Sequence, residues 1–391
     1  MLNKADTVVV LGGCGQMGQV IVDDLINYSD FANVVLSDIN LPMAEKLASY
    51  YNTDRLNVKK CNLVDENELV ELLSSAYLVI NSTPYEFNLK VMEACLSANC
   101  HYMDLGGLFH TTLLQMKLDD KFRQKKLMAI LGMGAAPGIT NIMVAYLACK
   151  FTKVKDVIIS DGAKLLSENK SILLIPYSVD TILDEYCKPA MIFNNKKLSE
   201  INGLTAERLI DFGKPIGKIP GIYTLHSELA TLPDYLSSKE VENLSFSLAL
   251  PSEIHDKFKF LIELGLTDKL KISGGNELDL RPVLKSLIGK LATNDEFIPD
   301  IEIVQVEMNG ISDNIPVEYV IKLFAESNNK FSAGAINTGV PPSIVAQFIK
   351  NKTVEFTGVL PPEAIIPAKA FFNELARRNL KIELLSKSNL N

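Results

Sequence analysis

The sequence has no tryptophan, only 4 histidines and 6 cysteines, and its 6 arginines are far outnumbered by 33 lysines. The cysteines (Cys14, Cys61, Cys95, Cys100, Cys149 and Cys187) form no C-x-x-C pair, so neither a disulfide framework nor a zinc site is expected. No two histidines stand at metal-ligand spacing, and no metal is expected. A formal net charge of −8 without any basic block argues against nucleic acid or an anionic membrane as partner. No apolar run approaches the roughly 20 residues that cross a bilayer. No leader-like segment precedes the first apolar run, and with the cysteines unpaired a reducing cytoplasm is the expected compartment. What remains is a composition of globular type, 47% hydrophobic and 22% charged, in a chain long enough for two domains.

The most informative stretch is TVVVLGGCGQMGQ, residues 7–19. A short apolar run meets a turn in which Gly13, Gly15 and Gly18 stand at G-x-G-x-x-G spacing, and an apolar helical pattern (Val20, Ile21, Leu25) follows. In a strand–turn–helix that binds a dinucleotide, the first glycine permits the tight turn and the second admits the pyrophosphate. The third lets helix and strand pack closely. Gln16 and Met17 open the helix, whose N-terminus offers free N–H groups to phosphate. A second apolar run, Val34-Val35-Leu36, ends at Ser37-Asp38, with Asp38 twenty residues beyond Gly18. A carboxylate there accepts hydrogen bonds from the adenosine ribose and repels a 2′-phosphate, which favours NAD over NADP.

Short apolar strands alternate with helical patterns from residue 1 to about 137, which predicts an α/β fold with a Rossmann-type, doubly wound parallel sheet. Ligands of such sheets lie beyond the carboxyl ends of the strands. Ser82, Thr83, Pro84 and Gly106 are therefore expected to line the cofactor, and Asp104 ends the strand HYMD. After GMGAAPGITN the pattern changes to strands with long connections, an inserted α+β domain. In the tail, Gly334, Gly339, Pro341, Pro342, Pro361 and Pro362 punctuate two helical patterns, 343–349 and 368–379. The division expected is a dinucleotide-binding domain, 1–137, completed by 333–391, and an α+β substrate-binding domain, 138–332.

These segments also carry a resemblance. VLGGCGQMGQ, STPYEFN, HYMDLGG, GMGAAPGITN, the RPVL helix start, TGVPPSIVA and GVLPPE, in that order, resemble the saccharopine dehydrogenase-like family over nearly the whole chain. The resemblance implies oxidation or reduction of a carbon–nitrogen bond in an amino acid or polyamine precursor, and a homodimer. Ala136 stands before Pro137-Gly138 where saccharopine reductases usually carry an acid. With Asp38 and chain length, that departure makes the NAD-linked lysine 6-dehydrogenase branch the first expectation. Saccharopine or carboxynorspermidine dehydrogenase is the alternative, and a catalytically inactive NAD(P)-binding sensor or scaffold is an alternative of another class.

Such chemistry needs a group to move a proton and groups to hold the substrate's charged ends. Asp104 is the first candidate for the proton, with His110 and Tyr85 behind it. Asn88, Asn141, Tyr177, His226 and Arg281 are candidates for the substrate. Capping a helix is a competing role for Asp104, Asn88 and Asn141. The scarcity of arginine, Arg208 and Arg281 alone between residues 138 and 332, favours a substrate with few carboxylates.

Overall fold

A computed structural model of the chain describes residues 3–166, 178–202, 207–271, 277–291 and 298–388. Six strands come first: β1 (Thr7–Leu11), β2 (Asn33–Asp38), β3 (Leu56–Lys60), β4 (Leu78–Asn81), β5 (His101–Asp104) and β6 (Met128–Ile130). Between them run α1 (Gln16–Tyr28), α2 (Leu41–Ala48), α3 (Glu66–Ser74), α4 (Asn88–Ala98), α5 (Leu108–Met116) and α6 (Asp119–Gln124). The pattern near 114–126 predicted one helix, whereas two short helices form, and the first begins directly after Gly106-Gly107. The strands are parallel in the order β3-β2-β1-β4-β5-β6, so the order reverses between β1 and β4, where doubly wound sheets bind ligands. The apolar runs follow from burial on both faces. Val8 and Val10 enter one core and Val9 and Leu11 the other, the alternation that a strand's two-residue period dictates.

Helix α7 (Ile139–Ala148) leads into a nine-stranded mixed sheet. Eight of its strands are β7 (Lys153–Leu165), β8 (Ala190–Asn194), β9 (Lys197–Ile201), β10 (Glu207–Asp211), β11 (Lys218–Tyr223) and β12 (Asn243–Ala249), then, after a small hairpin of β13 (Lys269–Lys271) and β14 (Glu277–Asp279), β15 (Asp300–Ser312) and β16 (Ile315–Glu326). The helices are α8 (Val179–Cys187), α9 (Glu228–Tyr235), α10 (Ser252–Glu263) and α11 (Arg281–Leu291). Strand β7 is central, parallel to β12 and antiparallel to β15.

The chain then returns through α12 (Ala333–Lys350), β17 (Gly358–Leu360), α13 (Pro362–Ile365) and α14 (Ala368–Arg377) to β18 (Lys381–Ser388). Strand β17 pairs with β6 and completes a seven-stranded first sheet, while β18 pairs with β16 at the edge of the second. Pro341 and Pro342, which read as breaks, lie inside α12. The helix survives the missing N–H groups because it is buried along most of its length and locked to α1: a Cβ on Gly339 would stand 2.6 Å from that of Val20. No helix among the described residues is long and apolar enough to cross a membrane.

A buried ion pair fastens this return. Arg378 Nε donates to Asp24 Oδ2 of α1 at 2.6 Å, and Ser343 of α12 donates to the other oxygen at 2.5 Å. Removing one partner strands the other charge in the interior. Arg378→Ala is expected to cost about 3–5 kcal/mol in equilibrium denaturation; a loss below about 1 kcal/mol would show the pair to be dispensable.

Candidate functional site

The glycine turn has the form a dinucleotide requires. Gly12 adopts a positive φ of 73°, and a Cβ there would meet Ser82 O and Thr83 Cγ2, each at 3.0 Å, so the loop after β4 presses directly on the turn. A Cβ on Gly18 would stand 2.2 Å from Gly12 O, which leaves glycine as the residue that fits. Gly15 caps α1 without any side-chain hydrogen bond, leaving the first N–H groups for a phosphate. Gly13 donates its N–H to Ser37 O at 3.1 Å, tying the turn to β2, while Gln16 is exposed and Met17 half-buried at the helix start. Asp38 accepts from Cys14 N and Asn40 N, both at 3.0 Å, one on each oxygen. Each oxygen keeps a lone pair for a ribose hydroxyl. The residues present fit the dinucleotide.

Beyond the strand ends, the loops after β5 and β6 meet around Asp104. Its Oδ1 accepts from Gly106 N at 3.0 Å and Gly132 N at 2.7 Å, and its Oδ2 from Tyr102 at 2.8 Å and Gln115 at 2.6 Å. Burial pushes the carboxyl above the ordinary range, against the pull of these bonds. At 1% exposure and with both oxygens doubly engaged, Asp104 fixes the loops after β5 and β6. The Pro137 ring sits between them, within 3.1 Å of a Cβ on Gly106 and 2.8 Å of one on Gly132.

Two of the asparagines also act within the scaffold. Asn88 accepts from Asn81 at 2.9 Å and donates to Gly106 O at 3.1 Å. Asn141 accepts from Gly138 N at 3.0 Å, capping α7, and donates to Glu363 Oε2 at 2.9 Å. Tyr85 and Arg281 meet at Asp184 of α8: the Tyr85 hydroxyl donates to Oδ2, and Arg281 Nη1 contacts Oδ1 at 2.6 Å. Lys188 joins them, 2.9 Å from the Tyr85 oxygen. Burial opposes charge on Asp184, but the bonds from Tyr85, Lys188 and Arg281 outweigh it and hold its carboxyl below the ordinary value. This network joins the loop after β4 to the second sheet's helices. His110 is exposed, edge-on to Phe109, and Tyr177 lies outside the described residues.

His226 is the sequence candidate placed at the centre of polar chemistry. Its ring stacks on Phe246 of β12 at 3.7 Å between centroids, its Nδ1 lies 2.5 Å from Glu228 Oε2, and its Nε2 lies 3.8 Å from Glu185 Oε1. Burial disfavours the imidazolium, yet the two glutamates outweigh it and raise the pKa above the usual 6.5. Thr140 holds the other Glu228 oxygen at 2.9 Å, and Ser227 reaches to 3.6 Å from a Cβ on Gly106, so His226 adjoins the loop after β5. Burial, followed by Glu185 and Glu228, pushes Asp161 of β7 up to about 8. Burial takes Glu363, the partner of Asn141, up to about 7. These carboxylates were missed in the sequence. The available signal was an acid in an otherwise apolar strand, Asp161 in VIISDGA and Glu302 in IEIVQV. Among the described residues no group of three or more His, Cys, Asp or Glu is arranged to hold a metal ion.

Known proteins resemble this chain along its length. The model of the saccharopine dehydrogenase NADP binding domain matches residues 8–130, and that of the saccharopine dehydrogenase C-terminal domain matches 134–380. The carboxyaminopropylagmatine dehydrogenase of Synechocystis sp. is 23% identical over 86% of this chain and 87% of its own. The carboxynorspermidine synthase of Vibrio cholerae is also 23% identical, over 71% of each chain. Among solved structures, the saccharopine dehydrogenase (L-Glu forming) of Saccharomyces cerevisiae superposes with a TM-score of 0.78 at 15% identity. That match covers 98% of this chain and 100% of the yeast chain, a likeness of fold. With a turn shaped for a dinucleotide and two family models covering its strands, helices and return, this chain belongs to the saccharopine dehydrogenase family and is a nicotinamide-dinucleotide-dependent dehydrogenase.

Proposed function

We propose that this protein is an NAD(H)-linked oxidoreductase acting on the C–N bond of a carboxylated polyamine-type substrate. The reading takes the place of the lysine 6-dehydrogenase expectation. The observation that carries it is the acidity around His226: Glu185 and Glu228 flank the imidazole, the cation between them, and Asp161 lies beside them as a protonated carboxyl able to ionise against a further cation. A substrate bearing several ammonium groups matches that excess, and the names of the Synechocystis and Vibrio relatives point the same way. A tricarboxylate such as saccharopine matches it poorly. Arg281 is committed to Asp184 and Asp180, and Arg208 bonds Ser160 Oγ, which points to the opposite sheet face from Asp161. For the cofactor, the family model's description names NADP, whereas Asp38 offers a carboxylate where a 2′-phosphate would sit, which supports NAD.

A dinucleotide held at the glycine turn supplies or accepts the hydride. In this reading His226 handles the proton. With Nδ1–H donating to Glu228, Nε2 takes a proton from the substrate ammonium before oxidation and returns it to nitrogen on reduction. Glu228 fixes the tautomer and supports the imidazolium, and Glu185 holds the amine beside Nε2. Asp104 acts indirectly, by holding the loops after β5 and β6 in place.

The test is NADH formation with carboxynorspermidine, carboxyaminopropylagmatine, saccharopine and lysine, each repeated with NADP. The carboxylated polyamines are expected to exceed saccharopine and lysine in kcat/KM by at least about tenfold. Preference for saccharopine would overturn the substrate class, and preference for NADP would remove Asp38 from the ribose. In the oxidative direction, activity should rise with pH through a value above 6.5, the limb reporting deprotonation of His226. His226→Asn should lower kcat about 10²–10⁴-fold and abolish that limb while leaving NAD affinity unchanged. An intact limb in the variant would assign the proton to another group.

A further inference from the structure

The sheet face beneath His226 holds a second polar group that the proton chemistry does not use. Asp161 and Ala163 of β7 project to the same side as Phe246, and Ala163 pairs with Glu302 of β15. Asp161 and Glu302 are therefore diagonal neighbours on the face that carries His226. From above, Asn337 of α12 donates its amide N–H to Glu302 Oε1 at 2.9 Å. The oxygen of that amide has no hydrogen-bond partner, although Asn337 is 0% exposed. Buried amide oxygens nearly always have a donor. The adjoining Thr338 lies 3.2 Å from a Cβ on Gly134, so this group borders the loop after β6.

We propose that Asp161, Glu302 and Asn337 form a binding pocket for a protonated amine or guanidinium at the substrate end remote from the reacting C–N bond. The proposal rests on the reaction assigned above and names the residues that select the substrate. An ammonium brings three donors and one positive charge, and the pocket offers two carboxylates and an amide oxygen awaiting a donor. No lysine or arginine among the described residues forms an ion pair with Asp161 or Glu302. Asp161 is half-buried and close enough to Glu185 and Glu228 to feel both charges. Burial, and then the Asp161 charge, push the Glu302 carboxyl well above its ordinary range despite the bond from Asn337. The ligand-free pocket thus holds protons that an arriving cation displaces.

The test uses the full-length protein saturated with NAD, titrated calorimetrically with putrescine and with agmatine, with butanol as the uncharged control. Both amines should bind, and butanol should not. The apparent enthalpy should follow the ionisation enthalpy of the buffer as protons leave. The isosteric variants Glu302→Gln and Asp161→Asn should each weaken amine binding at least about tenfold. Their melting temperatures should be unchanged or higher, because each replaces a carboxyl that burial keeps protonated with a neutral amide of the same shape. Tighter binding of agmatine than of putrescine would assign the pocket to guanidinium, and the reverse to ammonium. Undiminished affinity in both variants, or no amine binding by the wild type, overturns the pocket. Amine binding lost in the variants without turnover on any carboxylated polyamine leaves the pocket standing and removes the reaction. Turnover with an unchanged KM in both variants does the opposite.

Discussion

Where the second sheet meets the loops of the first, carboxylates are buried close together with little positive charge among them. Glu185, Glu228, Glu302 and Glu363 are all at least nine-tenths buried, and Asp161 lies beside the first three. Like charges in a poorly solvated region repel strongly, and the fold tolerates them by three means. Some retain protons, as the raised values of Asp161, Glu302 and Glu363 show. Some are hydrogen-bonded from fixed positions by Thr140, Asn141 and Asn337. One is bound to a histidine. Such an arrangement costs stability, and the cationic substrate proposed above would relieve it, the stability–function conflict expected of a binding site.

The cost is met by rigidity on the cofactor side. Asp104 ties two loop N–H groups, a tyrosine and a glutamine into one cluster, and Asn88 carries the connection to the loop after β4. Tyr85, Asp184, Lys188 and Arg281 then join that loop to the second sheet's helices. Asp104 and Tyr85, which look reactive in isolation, thus spend their hydrogen bonds within these two networks. The partners of His226 are Glu228 and Glu185, which is the basis of the proton role proposed for it.

Much of the cofactor site was legible because its determinants are local. A strand, three glycines and a helix lie within 13 residues, and Asp38 ends the next strand. The parallel sheet was legible for the same reason, since each βα unit declares itself by its own periodicity. The helix over Pro341 and Pro342 was not, because packing on α1 overrides a local signal that reads as a break. The role of Asp104 depends on Gln115 and Gly132, neither of which its neighbourhood in sequence suggests. Asp161 and Glu302 are brought together only by the pairing of β7 with β15, and Asn337 reaches them from a helix that folds back from the far end of the chain. Sites assembled across such distances leave in the sequence only a misplaced charge in an apolar strand.

The central claim is that hydride passes between the dinucleotide and a carbon bonded to nitrogen in a polycationic substrate. It is tested most directly by running the reductive reaction with NADH deuterated at nicotinamide C4 and locating the label in the product by mass spectrometry and NMR. The account predicts one deuterium on the carbon attached to the newly formed secondary amine. Deuterium on a carbon bearing oxygen, or NADH oxidation that leaves the product unlabelled, would contradict it.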